Sequence, residues 1–227
     1  YKLIMNNGAL LVIDNPALYP DPTLIEATQE PFIRATIMVP ERYMGAVMKL
    51  CLDRRGININ YQYLTSDRLE MIFELPLAEV IFDFYDKLKS VTQGYGSFDY
   101  ELTDYRAADV VKLDILINGE RVDALSQLVH RERSVERARH ACERLRDEIP
   151  RQMFKIAIQG AIGGNIIARK TISALRKDVT AKCYGGDVTR KRKLLEKQKK
   201  GKRRMKMVGQ VEIPQAAFLS VLKSDTK

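Results

Sequence analysis

Between Phe32 and Tyr105 the apolar residues repeatedly switch period, and few folds accommodate the resulting order. Phe32 to Val39 has strand composition. Pro40-Glu41 opens a helix in which Met44, Val47, Met48 and Cys51 recur at helical spacing, with Gly56 as its stop. Ile57 to Leu64 is a strand, Thr65-Ser66-Asp67 a turn, and Arg68 to Leu75 a second strand that pairs back as a hairpin. Pro76 starts another helix, with Val80, Ile81, Phe84, Tyr85 and Leu88 on its buried side and its end near Gly94. Phe98 to Tyr105 closes the set. The order is strand, helix, strand, strand, helix, strand: a split βαβ unit.

The residues before this unit read differently. Tyr1 to Ile4 alternates like a strand, Asn6-Asn7-Gly8 is a turn, and Ala9 to Ile13 is a second apolar run. Pro16, Pro20, Pro22 and Pro31 keep the connecting residues extended rather than helical. Residues 1–30 are therefore expected to be the end of a preceding unit and a linker. A chain that opens on a strand without an initiator Met is expected to be a piece of a longer protein.

Beyond the split βαβ unit, Asp109 to Val129 reads as a second hairpin. Its turn is Asn118-Gly119, because both central positions need a positive φ. That register sets Ile117 opposite Glu120, Leu116 opposite Arg121, Ile115 opposite Val122 and Asp114 opposite Asp123. Two facing carboxylates invite a metal-dependent RNA-processing reading. The competing reading is a charge ladder in which Lys112 and Arg121, lying diagonally, neutralise both. Ser134 is expected to cap a helix with Val135, Ala138, Ala141, Cys142, Leu145 and Ile149 on its apolar face. His130 and His140 sit among arginines without a third ligand, which favours surface or salt-bridge roles over a metal site.

Met153 to Gln159 reads as a strand. Gly160-Ala161-Ile162-Gly163-Gly164-Asn165 superficially suggests a phosphate loop, but it lacks the Gly-Lys-Ser/Thr ending, so a tight turn is expected. Thr171 to Val179 is expected to be helical and Tyr184-Gly185-Gly186 to break it. Asp187 would cap a further helix, and Val211, Ile213, Phe218, Leu219 and Leu222 would fold back onto the body.

Charge is distributed very unevenly. Residues 1–150 hold 18 Lys+Arg against 24 Asp+Glu, and residues 151–227 hold 20 against 5. Within Thr189–Lys206, 11 of the 18 residues are basic: Arg190, Lys191, Arg192, Lys193, Lys197, Lys199, Lys200, Lys202, Arg203, Arg204 and Lys206. Such density repels itself unless a polyanion neutralises it. The stretch holds no aromatic residue, so phosphate contact rather than base stacking is the expected mode, and it would grip a nucleic-acid backbone without reading sequence. Anionic lipid is the alternative polyanion, for which Leu194 and Leu195 supply little apolar surface. With its charges opposing packing, the segment is expected to be mobile without RNA.

The rest of the composition narrows the setting. At 45% hydrophobic and 30% charged residues the chain has a soluble globular composition. Its three cysteines, Cys51, Cys142 and Cys183, lie far apart without metal spacing and fit reduced thiols in a cytoplasm. No stretch approaches the roughly 18–20 apolar residues of a membrane span.

Several motifs also carry a resemblance. Glu30-Pro31-Phe32-Ile33, Val39-Pro40-Glu41-Arg42-Tyr43-Met44-Gly45, Asp53-Arg54-Arg55-Gly56 and Gly94-Tyr95-Gly96 resemble the last domain of elongation-factor-G-type translational GTPases. Asp114 to Leu125, Ile149-Pro150-Arg151-Gln152, Ile156-Ala157-Ile158-Gln159, Ile166-Ile167-Ala168-Arg169 and Ala181 to Asp187 resemble the C-terminal domain peculiar to the LepA family. The resemblance covers essentially the whole chain. It implies an α+β protein with residues 1–30 ending a preceding domain, a ferredoxin-like unit at 31–106, and a family-specific basic α+β domain at 107–227.

It further implies a ribosome-dependent GTPase that reverses or remodels translocation, or acts in ribosome assembly. The implied partners are ribosome and tRNA, with peripheral association to the cytoplasmic face of the membrane as a further one, and the protein is expected to be monomeric. Arg54 and Arg55 become candidate ribosome contacts, and the eleven cations of 189–206 the nucleic-acid contacts. No P-loop lies between residues 1 and 227, so GTP and Mg2+ are expected to bind the full-length protein outside this stretch. The stretch itself is expected to hold no cofactor, metal or catalytic residue.

Overall fold

The structure is a computed structural model that describes residues 1–81, 83–175, 180, 188–208 and 211–222. It divides into two compact units, one holding Tyr1–Val110 and the other Val111–Val221.

In the first unit the elements run β1 (Lys2–Met5), β2 (Leu10–Val12), β3 (Ile25–Pro40), α1 (Met44–Leu52), β4 (Ile57–Tyr63), β5 (Arg68–Pro76), α2 (Phe84–Val91) and β6 (Ser97–Ala107). The strands form one sheet in the order β2-β1-β3-β5-β4, with β6 also paired to β3. Period-two alternation sends Ile33, Ala35, Ile37 and Val39 of β3, with Leu69, Met71, Phe73 and Leu75 of β5, to one face. There they pack with Val47 and Cys51 of α1 and Phe84 and Leu88 of α2. Each fully buried aliphatic or aromatic side chain of this kind contributes about 1.5–3 kcal/mol.

Three expectations change here. First, the run read as the end of a preceding unit is part of this sheet: β1 pairs with both β2 and β3, Leu3 is fully buried, and β3 begins at Ile25, leaving only the Pro-rich residues between as a connector. The prolines are accommodated locally. Pro16 and Pro22 each open a 3-10 turn whose preceding Asn15 or Asp21 side chain accepts from the backbone, and Pro31 lies where β3 and β6 slip register. Second, Ile81 and Tyr85 are exposed. A 3-10 turn occupies Leu77–Glu79 and α2 begins only at Phe84, so the buried row is Val80, Phe84 and Leu88. Third, Gly56 does not supply the left-handed stop after α1; Arg55 does, at φ 58°. Gly56 is there for space, since a Cβ would lie 2.6 Å from the Cys51 carbonyl oxygen and 2.7 Å from Leu75 Cδ2.

The second unit holds β7 (Val110–Ile117), β8 (Glu120–Arg121), β9 (Gln127–His130), α3 (Ser134–Glu148), β10 (Ile156–Ile162), β11 (Asn165–Ile172), α4 (Val188–Val208) and α5 (Gln215–Leu222). Its sheet runs β11-β10-β7-β8, with β9 on β7. Asn118 and Gly119 both take positive φ, 55° and 91°, and Ile117 and Leu116 face Glu120 and Arg121 as the turn dictates. The core gathers Leu113, Ile115 and Ile158 with Ala138, Ala141, Cys142 and Leu145 of α3 and Ala217 and Val221 of α5. Gly160 lets α3 approach β10, because a Cβ there would meet Ala138 Cβ at 2.9 Å.

Here too the details diverge. Gly163 and Gly164, both at positive φ, turn the chain back so that Asn165–Ile172 pairs with β10. The helix expected from Thr171 therefore starts in a strand; its residues 176–179, and the expected breaker and cap at 184–187, lie outside the described residues. Ser134 does not accept at the helix start: its hydroxyl donates to the Arg131 carbonyl at 2.6 Å. Val135 and Leu219 are exposed, while His140 is buried and its Nε2 accepts from Arg144 Nε at 3.1 Å.

Candidate nucleic-acid interface

The basic run folds as α4, a helix continuous from Val188 to Val208. Consecutive helical positions are about 100° apart, which sorts its cations into rows. Arg190, Lys193, Lys197 and Lys200 form one row, and Arg192, Lys199 and Arg203 a second. Lys191 borders a narrow neutral strip of Leu194, Gln198 and Gly201. Lys191, Leu194 and Gln198 are half-buried; Arg190, Arg192, Lys193, Lys197, Lys199, Lys200 and Arg203 are exposed. Lys202, Arg204 and Lys206 lie on the same helix, with side chains outside the described residues. The lone acid of the helix, Glu196, meets Arg192 at 3.5 Å, both side chains largely in solvent. Pairs so exposed contribute about 0–1 kcal/mol, so this contact does not occupy the face.

The other candidate cations are placed quite differently. Arg54 and Arg55 follow α1, and their side chains turn inward. Arg54 donates to the Glu79 carbonyl at 2.8 Å and to Asp83 Oδ1 at 2.9 Å. Arg55 grips Glu30 with both terminal guanidinium nitrogens, at 2.7 and 2.9 Å, and its Nε donates to Glu79 at 3.4 Å. Burial alone would lower the Arg55 pKa, but the Glu30 hydrogen bonds and the Glu30 and Glu79 charges outweigh it and raise it. Both arginines form an internal clip joining β3, the α1–β4 turn and the segment before α2. The sequence hides this because Glu30, Glu79 and Asp83 are distant from them along the chain.

Asp114 and Asp123 do not face one another. Val122 N–H still donates to the Ile115 carbonyl at 2.9 Å, but the chain then makes a 3-10 turn at Asp123–Leu125, which takes Asp123 out of the ladder; on its other side β7 pairs with β10, where Asp114 lies opposite Ala161. Asp114 accepts from Ser126 Oγ at 2.8 Å and lies 3.7 Å from Lys112 Nζ, while Asp123 takes Arg121 Nε at 2.8 Å. Each carboxylate is neutralised by the cation two residues before it in sequence rather than diagonally. Among the described residues no group of three or more His, Cys, Asp or Glu side chains is placed to hold a metal.

The structure also assembles a cluster that residue types alone do not reveal. Tyr43 and Tyr95 stack with centroids 6.3 Å apart and planes 20° from parallel, and the Arg42 guanidinium carbon lies 4.9 and 5.1 Å from the two ring centres. Tyr43 Oη donates to Gln93 Oε1 at 2.9 Å, and Tyr95 is 58% exposed. The neighbouring basic and aromatic residues at 42 and 43 are visible in the sequence; their meeting with Tyr95 is not.

Comparison with known proteins accounts for both units. Residues 27–116 match the family described as "Elongation factor G C-terminus", and residues 117–223 match "GTP-binding protein LepA C-terminus". Curated proteins called elongation factor 4 align over almost the full chain: 72% identity over 99% of it in Desulfosudis oleivorans, and 68% over 99% in Syntrophus aciditrophicus. The chain belongs to the LepA family. It spans 38% of the length of these LepA relatives, a C-terminal portion of the family. Among the described residues no helix is long and apolar enough to cross a membrane.

Proposed function

We propose that this chain is the ribosome- and tRNA-binding portion of a cytoplasmic, monomeric translational GTPase that promotes back-translocation or otherwise remodels elongating ribosomes. The observation that carries the proposal is α4, where all the described cations but the half-buried Lys191 are exposed along a helix with a single acid. Arg190, Lys191, Arg192, Lys193, Lys197, Lys199, Lys200, Lys202, Arg203, Arg204 and Lys206 lie along the phosphates of tRNA or adjacent ribosomal RNA. Phosphate contact of this type positions a protein without specifying sequence.

The first unit docks on the ribosome. With Arg54 and Arg55 spoken for internally, its RNA-facing group is Arg42, Tyr43 and Tyr95, which offers an exposed ring for stacking and a guanidinium for phosphate. GTP and Mg2+ bind the portion of the protein represented in the remaining length of the relatives. Hydrolysis there would drive the movement that this portion transmits to tRNA.

Binding of the chain to vacant and tRNA-loaded ribosomes across a salt series, beside a variant lacking 189–206, tests this. Deletion should remove a salt-steep, tRNA-dependent component and leave weaker ribosome binding. Equal binding by both chains would show that α4 contacts neither tRNA nor ribosome.

A further inference from the structure

The edge strands of the first unit's sheet are β2, which is only three residues long, β4 and β6. An open edge presents unpaired N–H and C=O groups, and proteins commonly guard one with charge. The β6 edge is guarded: Asp99, Glu101, Asp104 and Arg106 lie along it. The β4 edge is not. Ile57 to Leu64 contains neither a charged residue nor a proline, and Ile57, Ile59, Tyr61, Tyr63 and Leu64 are each about half exposed.

Register shows which groups are presented. Leu64 N donates to Arg68 O at 2.8 Å, and Gln62 faces Glu70. In an antiparallel ladder the bonded pairs alternate, so the backbone N–H and C=O of Tyr61 and Tyr63 point outward from the sheet. A register shift between Asn58 and Asn60 leaves the regular part of the edge at Asn60–Tyr63.

Two carboxylates flank this stretch. Glu41 lies on the helix-covered side, where it accepts from Tyr63 Oη at 2.7 Å, and Glu70 on the opposite side, where it accepts from Gln62 Nε2 at 2.7 Å. Both donors are neutral, so neither contact sets a cation against these carboxylates beside an uncharged strand. Residues 1–110 as a whole hold 16 Asp+Glu against 10 Lys+Arg.

We propose that the β4 edge is a docking site for an extended, Lys- and Arg-rich polypeptide segment, which adds to the sheet as a further strand. Main-chain hydrogen bonds to Tyr61 and Tyr63 supply the pairing. Alternate side chains of the incoming strand reach the two faces: on one the Tyr61 and Tyr63 rings with Glu41, suited to cations, and on the other Glu70. A second copy of the chain fits poorly, because edge-to-edge pairing would bring these carboxylates against their own counterparts.

The test uses the full chain and three fluorescent peptides: one alternating Lys and Val, one alternating Glu and Val, and a Lys-Val peptide N-methylated on the amides that would face the edge. The proposal expects binding of the first, none of the second, and at least about a tenfold loss for the third, the equivalent of one or two hydrogen bonds. Tyr61→Lys, which places a charge on the edge, should weaken the first peptide about tenfold, and Glu70→Gln should weaken it less. Equal affinity for the methylated peptide would overturn the proposal, leaving charge attraction alone. Self-association of the chain that Tyr61→Lys abolishes would also overturn it, making a second copy the occupant. If thermal melts show that Tyr61→Lys is misfolded, the methylated peptide against the unaltered protein decides.

Discussion

Arg54-Arg55 and Arg190 to Lys193 are both short basic runs, yet the first is built into a core and the second into a surface. The difference lies in the carboxylates available to each. Around Arg54 and Arg55 the fold gathers Glu30, Glu79 and Asp83, none of them neighbours in sequence. Along α4 the sequence offers Glu196 alone. A basic run thus reports a binding surface when the fold leaves most of its cations exposed, and charge balance over the surrounding unit is a better guide than the run itself.

The contrast breaks most sharply if the clip is cut. Glu30→Ala leaves a largely buried Arg55 without its bidentate partner, and about 3–5 kcal/mol of unfolding free energy should be lost in a urea titration. A loss below about 1 kcal/mol, the range of exposed pairs, would mean that Arg55 swings out to solvent and is available after all. Gly56→Ala probes the same turn by crowding, with about 1–3 kcal/mol expected, since the nearest obstacle is backbone. Gly45→Ala in α1, where a Cβ meets nothing within 4 Å, should not destabilise the fold.

Smaller effects come from two thiols. Burial pushes Cys51 up to about 12 and Cys142 up to about 11 from an ordinary 9.0. A raised folded pKa contributes stability that is complete below about pH 9 and is lost as the pH rises through that value toward the folded ones. For each thiol the loss is at most about 1.4 kcal/mol per pH unit. Alkylation of both, read by peptide mapping at about pH 8, should therefore track global unfolding. The smallest effect is predicted for α4: replacing Lys193, Lys197 and Lys200 with Gln should change stability by less than about 0.5 kcal/mol, because these side chains are exposed.

Much of this is readable in the chain. The split βαβ order from Phe32 to Tyr105 and the Asn118-Gly119 register follow from period and turn chemistry, which act locally. The features that escape depend on distant partners. β1 reads as a detached strand until β3 is seen to start at Ile25, and β11 is obscured because the Gly163-Gly164 turn looks like the end of a strand rather than the middle of a hairpin. The α4 cations are legible because exposure requires no partner. Arg42 and Tyr95 are not joined by sequence, since 52 intervening residues separate them and only the packing of α1 near the end of α2 unites them.

The central claim is that α4 meets phosphate through cations that the fold leaves exposed. Its most direct test is tRNA binding across a salt series by the unaltered chain and by the Lys193, Lys197 and Lys200 to Gln variant. If all three meet phosphates, the slope of log affinity against log salt should become shallower by about 2–3, with roughly 0.7–0.9 lost per phosphate contact. An unchanged slope, with stability also unchanged, would contradict the account and place the nucleic-acid contact elsewhere on the chain.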